Sequence, residues 1–199
     1  MTRDTLRKLH SFTGLFPLGA YLLFHAYEHL AIRAGRDALL DRLATTTSWP
    51  LELVGILLPL LAHAGLGLYL ARVPDAPASY GSASFRGLQR VTGLIVVVFL
   101  GLHVVGVWLP RVQADDRPGA AYGAMLDQVG TLPLAALYVL GVTAVCLHFG
   151  QGLSAAVSRY GVLGLTPRGS RLLGATVGVV LWLIFIDELI AYASGAALL

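Results

Sequence analysis

Imidazole ligates transition metals readily near neutral pH, and this chain has six histidines. Four of them, His25, His63, His103 and His148, lie well inside long apolar runs. Ionisable groups in such surroundings are rare and are usually functional. These four also belong to a repeated pattern. His63-Ala64-Gly65-Leu66-Gly67-Leu68 and His148-Phe149-Gly150-Gln151-Gly152-Leu153 both read H-x-G-x-G-L. Leu9-His10-Ser11-Phe12-Thr13-Gly14-Leu15, ahead of His25, is matched by Leu88-Gln89-Arg90-Val91-Thr92-Gly93-Leu94, ahead of His103. Two copies in the same orientation imply an internal pseudo-two-fold axis.

The elements that carry these histidines are read from composition. The chain has 199 residues, is 56% hydrophobic and only 13% charged. A soluble domain carries about 25% charged residues, so lipid is the expected solvent. Five stretches reach the roughly 20 residues that a helix needs to cross a bilayer. They run from Ser11 to Ile32, Leu51 to Arg72, Leu88 to Leu109, Leu132 to Ser158 and Leu172 to Ala193. The joints, Arg33 to Pro50, Val73 to Gly87, Pro110 to Thr131 and Arg159 to Arg171, read as short polar or Pro/Gly-rich connections. The expected fold is therefore all-α, a single transmembrane domain over residues 1–199. Its first four helices form a bundle, and helix five lies outside the repeat without a histidine. Although Arg7 and Lys8 precede the first run, its length and its His25, Glu28 and His29 fit a retained helix better than a signal peptide.

Charge predicts the orientation. The N-terminus and the second and fourth joints hold Arg3, Arg7, Lys8, Arg72, Arg86, Arg90, Arg159, Arg168 and Arg171, against Asp4 and Asp75. The opposite side holds Arg33, Arg36, Arg42, Arg111 and Arg117. Its acids are Glu28, Asp37, Asp41, Glu52, Asp115, Asp116, Asp127, Asp187 and Glu188. The positive-inside rule puts the N-terminus in the cytoplasm and, after five crossings, the C-terminus outside. The basic residues occur in short clusters between apolar runs, which is a topology signal and not a nucleic-acid surface. With Cys146 the only cysteine, the chain forms no internal disulfide and is not expected to hold an iron–sulfur cluster by itself.

Depth sorts the histidines into pairs. At 1.5 Å per residue, His25 and His103 lie roughly 21 and 22 Å from the cytoplasmic ends of their helices. His63 and His148 lie roughly 14 and 15 Å from the same face. His25 thus pairs with His103 in the outer half, and His63 with His148 in the inner half, on diagonal helices of the bundle. A haem fits between diagonal helices and takes one imidazole from each side. Two imidazoles leave no open position on the iron, which favours electron transfer over oxygen chemistry. Zinc would need four ligands converging on one point, and the two levels differ by roughly 7 Å. Gly67 and Gly152 are placed to let a macrocycle or a neighbouring backbone approach. For the propionates of the inner haem, the cytoplasmic edge offers Ser11, Arg90 and Arg159, with His10, Arg86 and Arg168 nearby. Neither His10 nor His29 is expected to ligate iron. At the outer edge Glu28, His29, Trp49 and Glu52, and also Trp108, Asp187 and Glu188, are candidate hydrogen-bond partners for a ligand.

Leu9-His10-Ser11, Leu58-Pro59-Leu60-Leu61-Ala62-His63, Leu88-Gln89-Arg90-Val91-Thr92-Gly93, His148-Phe149 and Thr166-Pro167-Arg168 together resemble the cytochrome b subunit of succinate dehydrogenases and fumarate reductases, in its single-chain, five-helix, two-haem form. The resemblance runs from about Arg7 to the end of helix five. It implies two b haems on His25, His63, His103 and His148, and a menaquinone or other quinone toward the outer haem. It also implies cytoplasmic partners, a flavoprotein carrying FAD and an iron–sulfur subunit, in a bacterial cytoplasmic membrane. Cys146 stands where some di-haem fumarate reductases carry a glutamate, so the resemblance does not extend to a proton path there. Two other readings remain: the di-haem anchor of a different quinone-linked enzyme, such as nitrate reductase or formate dehydrogenase, and a haem-free helical bundle or transporter.

Overall fold

The computed structural model describes residues 2–46, 48–73, 81–115 and 117–194, apart from the side chains of Pro118 and Val162. Asp75 and Asp116 of the charge pattern lie outside the described residues. Everything regular among the described residues is helical. The helices are α1 (Arg3–Leu15), α2 (Leu18–His29), α3 (Arg36–Thr46), α4 (Trp49–Ala71), α5 (Ala83–Gln113), α6 (Pro118–Val129), α7 (Leu132–Tyr160) and α8 (Pro167–Ala193).

Among these, α4, α5, α7 and α8 are each long and apolar enough to cross a membrane. Their ends follow local chemistry. The Ser82 hydroxyl accepts from the Phe85 N–H to start α5, and the Thr166 hydroxyl accepts from the Gly169 N–H to start α8, where Pro167 needs no donor partner. Gly161 closes α7 in the left-handed region at φ 62°, where a Cβ would be strained.

Two expectations are revised. The first apolar run is not one helix but two, broken at Phe16–Pro17. Phe16 is extended at φ −144°, ψ 120°, as the residue before proline prefers, and Pro17 has no N–H to continue the ladder. The first and third joints are not simple connections. Arg33 to Pro50 contains α3, which buries Leu39 and Leu43 at i, i+4 spacing. Pro110 to Thr131 contains α6, opened by Pro118 and burying Met125 and Val129 at the same spacing. In α3 the polar residues on the other face obscure the stripe, whereas α6 is a short run of mostly small, apolar residues. In addition, α4 and α5 each carry one wide π turn, at Leu53–Leu57 and Val104–Trp108. A single π turn shifts the face a helix presents and is common at functional sites.

Neighbouring helices pack in cyclic order, with α1 on α4, α4 on α5, α5 on α7 and α7 on α1. Helix α8 lies along α7. A Cβ on Gly150 would stand 2.5 Å from the Gly174 carbonyl oxygen, so the two backbones meet through small residues, as membrane helices do. The Trp182 indole N–H donates to the Thr143 hydroxyl at 2.9 Å across the same interface. Much of the outer surface is apolar, including Leu51, Leu61, Leu132 and Leu172.

Candidate functional site

His25 is on α2, His63 on α4, His103 on α5 and His148 on α7. The structure brings His25 and His103 together with ring centroids 6.4 Å apart and planes at 75°. It brings His63 and His148 together at 6.3 Å and 87°. Two imidazoles on opposite sides of one metal ion, each bound through nitrogen at about 2 Å, hold their centroids roughly 6 Å apart. Both pairs have that separation. No group of three or more His, Cys, Asp or Glu side chains suited to a metal ion occurs among the described residues.

The inner pair is held by the backbone. His63 Nδ1 lies 3.1 Å from the His10 carbonyl oxygen and 3.2 Å from the Thr13 hydroxyl. His148 Nδ1 lies 3.2 Å from the Gln89 carbonyl oxygen and 3.4 Å from the Thr92 hydroxyl. A carbonyl only accepts, so Nδ1 carries the proton in both rings and Nε2 keeps its lone pair. That is the arrangement of a metal-binding histidine whose second nitrogen is fixed by a main-chain acceptor. The Gln89 amide supports this assignment at His148. Its Nε2 donates to the His148 carbonyl at 3.2 Å and lies 3.5 Å from His148 Nε2. The rings also need room. A Cβ on Gly14 would be 2.6 Å from His63 Cε1, and one on Gly93 would be 3.0 Å from His148 Cε1.

The outer pair is held by side chains. His103 Nδ1 faces the Tyr138 hydroxyl at 3.3 Å, and His25 Nδ1 is 3.9 Å from Glu28 Oε2. A small cavity of about 70 Å³ lies around this pair. Its polar lining includes Tyr21, Glu28, His29, Glu52, Trp108 and Arg111, and α3 and α6 contribute Leu43, Tyr122 and Met125. Glu52 is tied by Arg111 and by the Trp108 indole N–H at 2.7 Å. Glu28 is 2% exposed, and its Oε1 has no hydrogen-bond partner. His29 Nδ1 lies 3.9 Å from Glu188 Oε2 on α8.

The remaining predicted residues divide. The Arg159 guanidinium donates to the Ser11 hydroxyl at 3.3 Å, joining α7 to α1, while Arg90 is exposed on α5. Trp49 is at the start of α4 and outside the cavity lining, whereas Glu28, His29 and Glu52 are inside it. Gly67 lies against the His10 ring, where a Cβ would stand 3.0 Å from Cε1, and Gly152 has only the Gln89 amide within 4 Å. His10 is stacked on His63 at 3.9 Å, and His29 tilts against His25 at 4.3 Å. Sequence reasoning missed Thr13, Thr92, Gly14, Gly93 and Tyr138. The first four were present in the repeated T-G-L segment, which was read only as a mark of duplication.

The chain is 31% identical over 173 residues to the succinate dehydrogenase cytochrome b558 subunit of Bacillus subtilis (strain 168), covering 83% of this chain and 84% of the relative. The chain belongs to the succinate dehydrogenase cytochrome b subunit family. No family model and no solved structure matches it. Family membership and the four apolar helices make it a multi-pass membrane protein. The donor set fits the b-type haem that the family's name implies. Paired imidazoles face each other at metal-binding separation, and the inner pair offers Nε2 with Nδ1 already engaged.

Proposed function

We propose that this chain anchors a succinate:quinone oxidoreductase in the bacterial cytoplasmic membrane and holds two b haems, an inner one on His63 and His148 and an outer one on His25 and His103. With imidazole on both faces, such a haem supplies one-electron transfer between a cytoplasmic donor and a membrane quinone. The equal separation of two histidine pairs at two levels supports this reading. The dicarboxylate chemistry belongs to a cytoplasmic flavoprotein with FAD, joined through an iron–sulfur subunit. These partners dock on the face that carries Arg86, Arg90, Arg159 and Arg168.

In this reading α1 and α2 together form a fifth, broken crossing, the N-terminus is cytoplasmic and the C-terminus is outside. Ser11 and Arg159 meet at the inner edge, where they bind a propionate of the inner haem, and Arg90 serves the same edge. Menaquinone or another quinone binds toward the outer haem, on the side where Glu28, His29 and Glu52 lie. Glu28 and His29 offer it hydrogen bonds there, while Glu52 is held by Arg111 and Trp108 and shapes the wall.

The test is to purify the complex and measure haem by the pyridine-haemochrome assay against protein. Two haems per chain, co-purification of a flavin-bearing subunit and reduction of haem by succinate are expected. One haem or none would overturn the pairing, and a complex without the flavoprotein would overturn the assignment of partner.

A further inference from the structure

The two hydroxyls beside the inner pair occupy equivalent places in the internal repeat, and their geometry is duplicated. Thr13 Oγ1 is 3.0 Å from the Leu9 carbonyl oxygen and 3.1 Å from that of His10, and it faces His63 Nδ1 at 3.2 Å. Thr92 Oγ1 is 2.8 Å from the Leu88 carbonyl oxygen and 3.2 Å from that of Gln89, and it faces His148 Nδ1 at 3.4 Å. A threonine hydroxyl has one hydrogen and two lone pairs. In each case the hydrogen goes to a carbonyl of the preceding turn, so a lone pair is left toward the histidine. Nδ1–H is already committed as a donor by the His10 or Gln89 carbonyl, and it is therefore shared between that carbonyl and the hydroxyl. The outer pair has no counterpart of this arrangement, since its Nδ1 atoms face Tyr138 and Glu28.

We propose that Thr13 and Thr92 are matched positioning residues for the inner haem, each acting as a second acceptor for the Nδ1–H of its histidine beside the carbonyl and making Nε2 a stronger donor to the iron. The proposal rests on the reading of His63 and His148 as axial ligands. An acceptor on Nδ1–H raises the basicity of the ligating nitrogen. A more basic ligand favours the oxidised, more positive iron, so losing the acceptor should raise the reduction potential. Valine has the shape of threonine without the hydroxyl, and serine keeps the hydroxyl without the methyl group.

The experiment is an optical redox titration of both haems in purified complexes carrying Thr13→Val, Thr92→Val, both together, and the two serine variants. Each valine variant should raise the midpoint potential of the inner haem, the double variant should raise it further, and the outer haem should not move. Serine should return the potential toward the parent value. An unmoved inner haem, or serine behaving like valine, would overturn the proposal. Where valine prevents inner haem binding, serine decides: restored binding supports the hydroxyl's role, and continued loss refutes it. The ligand assignment is read separately from His63→Ala. If that variant keeps both haems, the assignment fails, whatever the threonine variants do.

Discussion

The inner and outer histidine pairs have nearly the same separation, 6.3 and 6.4 Å, yet they are supported by different means. At the inner pair each Nδ1 meets a main-chain carbonyl and a threonine from the same repeated segment. Backbone acceptors do not titrate or change rotamer, so the two imidazoles of this site share the same main-chain support. At the outer pair the Nδ1 atoms meet Tyr138 and Glu28, and elements outside the repeat close the surroundings: α3, α6 and, through Glu188 at His29, α8. Duplication therefore accounts for the support of the inner pair. Elements between and after the repeated helices account for the surroundings of the outer pair.

The largest expected effect comes from removing the ligands themselves. His63→Ala or His148→Ala should cost the inner haem, leaving one haem per chain and none that succinate reduces. His25→Ala or His103→Ala should cost the outer haem and leave the inner one reducible by succinate. Haem content and succinate-reducible absorbance separate the four variants. If the His25 variant loses succinate reduction while the His63 variant keeps it, the two sites are assigned to the wrong faces.

The next effect is steric and should divide the sites. At Gly14 an added Cβ meets the His63 ring at 2.6 Å, and at Gly93 one meets His148 at 3.0 Å, whereas at Gly101, close to His103, nothing lies within 4 Å. Overpacking of this kind costs about 1–3 kcal/mol. Gly14→Val should release the inner haem most readily, Gly93→Val less so, and Gly101→Ala should leave both haems bound. Haem retention during mild heating measures the order, and equal loss in all three would show that the close approach is not selective.

A smaller and chemically different effect is expected in the cavity. His29→Ala should keep both haems, because His29 lies beside the outer pair and is not part of it. Glu28→Gln removes the carboxylate facing His25 while keeping its shape. Both variants should lower quinone turnover, by about tenfold or more if either group moves protons. Trp49→Ala, outside the lining, should leave turnover near the parent value. Steady-state rates with succinate and a quinone analogue decide this, and a loss confined to Trp49→Ala would move the quinone site to the start of α4.

The sequence was most informative where one chemical requirement repeated. His25, His63, His103 and His148 stood out because buried imidazoles at repeated positions are rare, and helix rise alone placed them at two levels. Amphipathic elements were less legible. Leu39 and Leu43 form a short stripe in α3 that polar neighbours hide, and Met125 and Val129 in α6 sit in a small-residue stretch too short to cross a bilayer. The break at Phe16–Pro17 was visible as a proline but was outweighed by the apolar run around it. The main-chain acceptors could not be read from residue identity, because a carbonyl is present at every position. His10 and Gln89 show this most directly, since different side chains supply the same backbone contact.

That distinction sets the smallest expected effect. The His10 ring stacks on His63 at 3.9 Å, a contact that taken alone points to a ligand or an essential support. The contact that fixes the tautomer, however, comes from the His10 carbonyl, and the Thr13 hydroxyl shares it. His10→Ala retains both. It removes only the ring stacking, worth about 0.5–1.5 kcal/mol for aromatic pairs, and opens space above Gly67. Both haems should therefore stay bound at two per chain, with the inner haem's potential shifted less than in Thr13→Val and its thermal retention slightly reduced. Loss of the inner haem in His10→Ala, with its retention in His63→Ala, would reverse the roles of the two stacked rings and make the ring of His10, rather than its backbone, the group that matters.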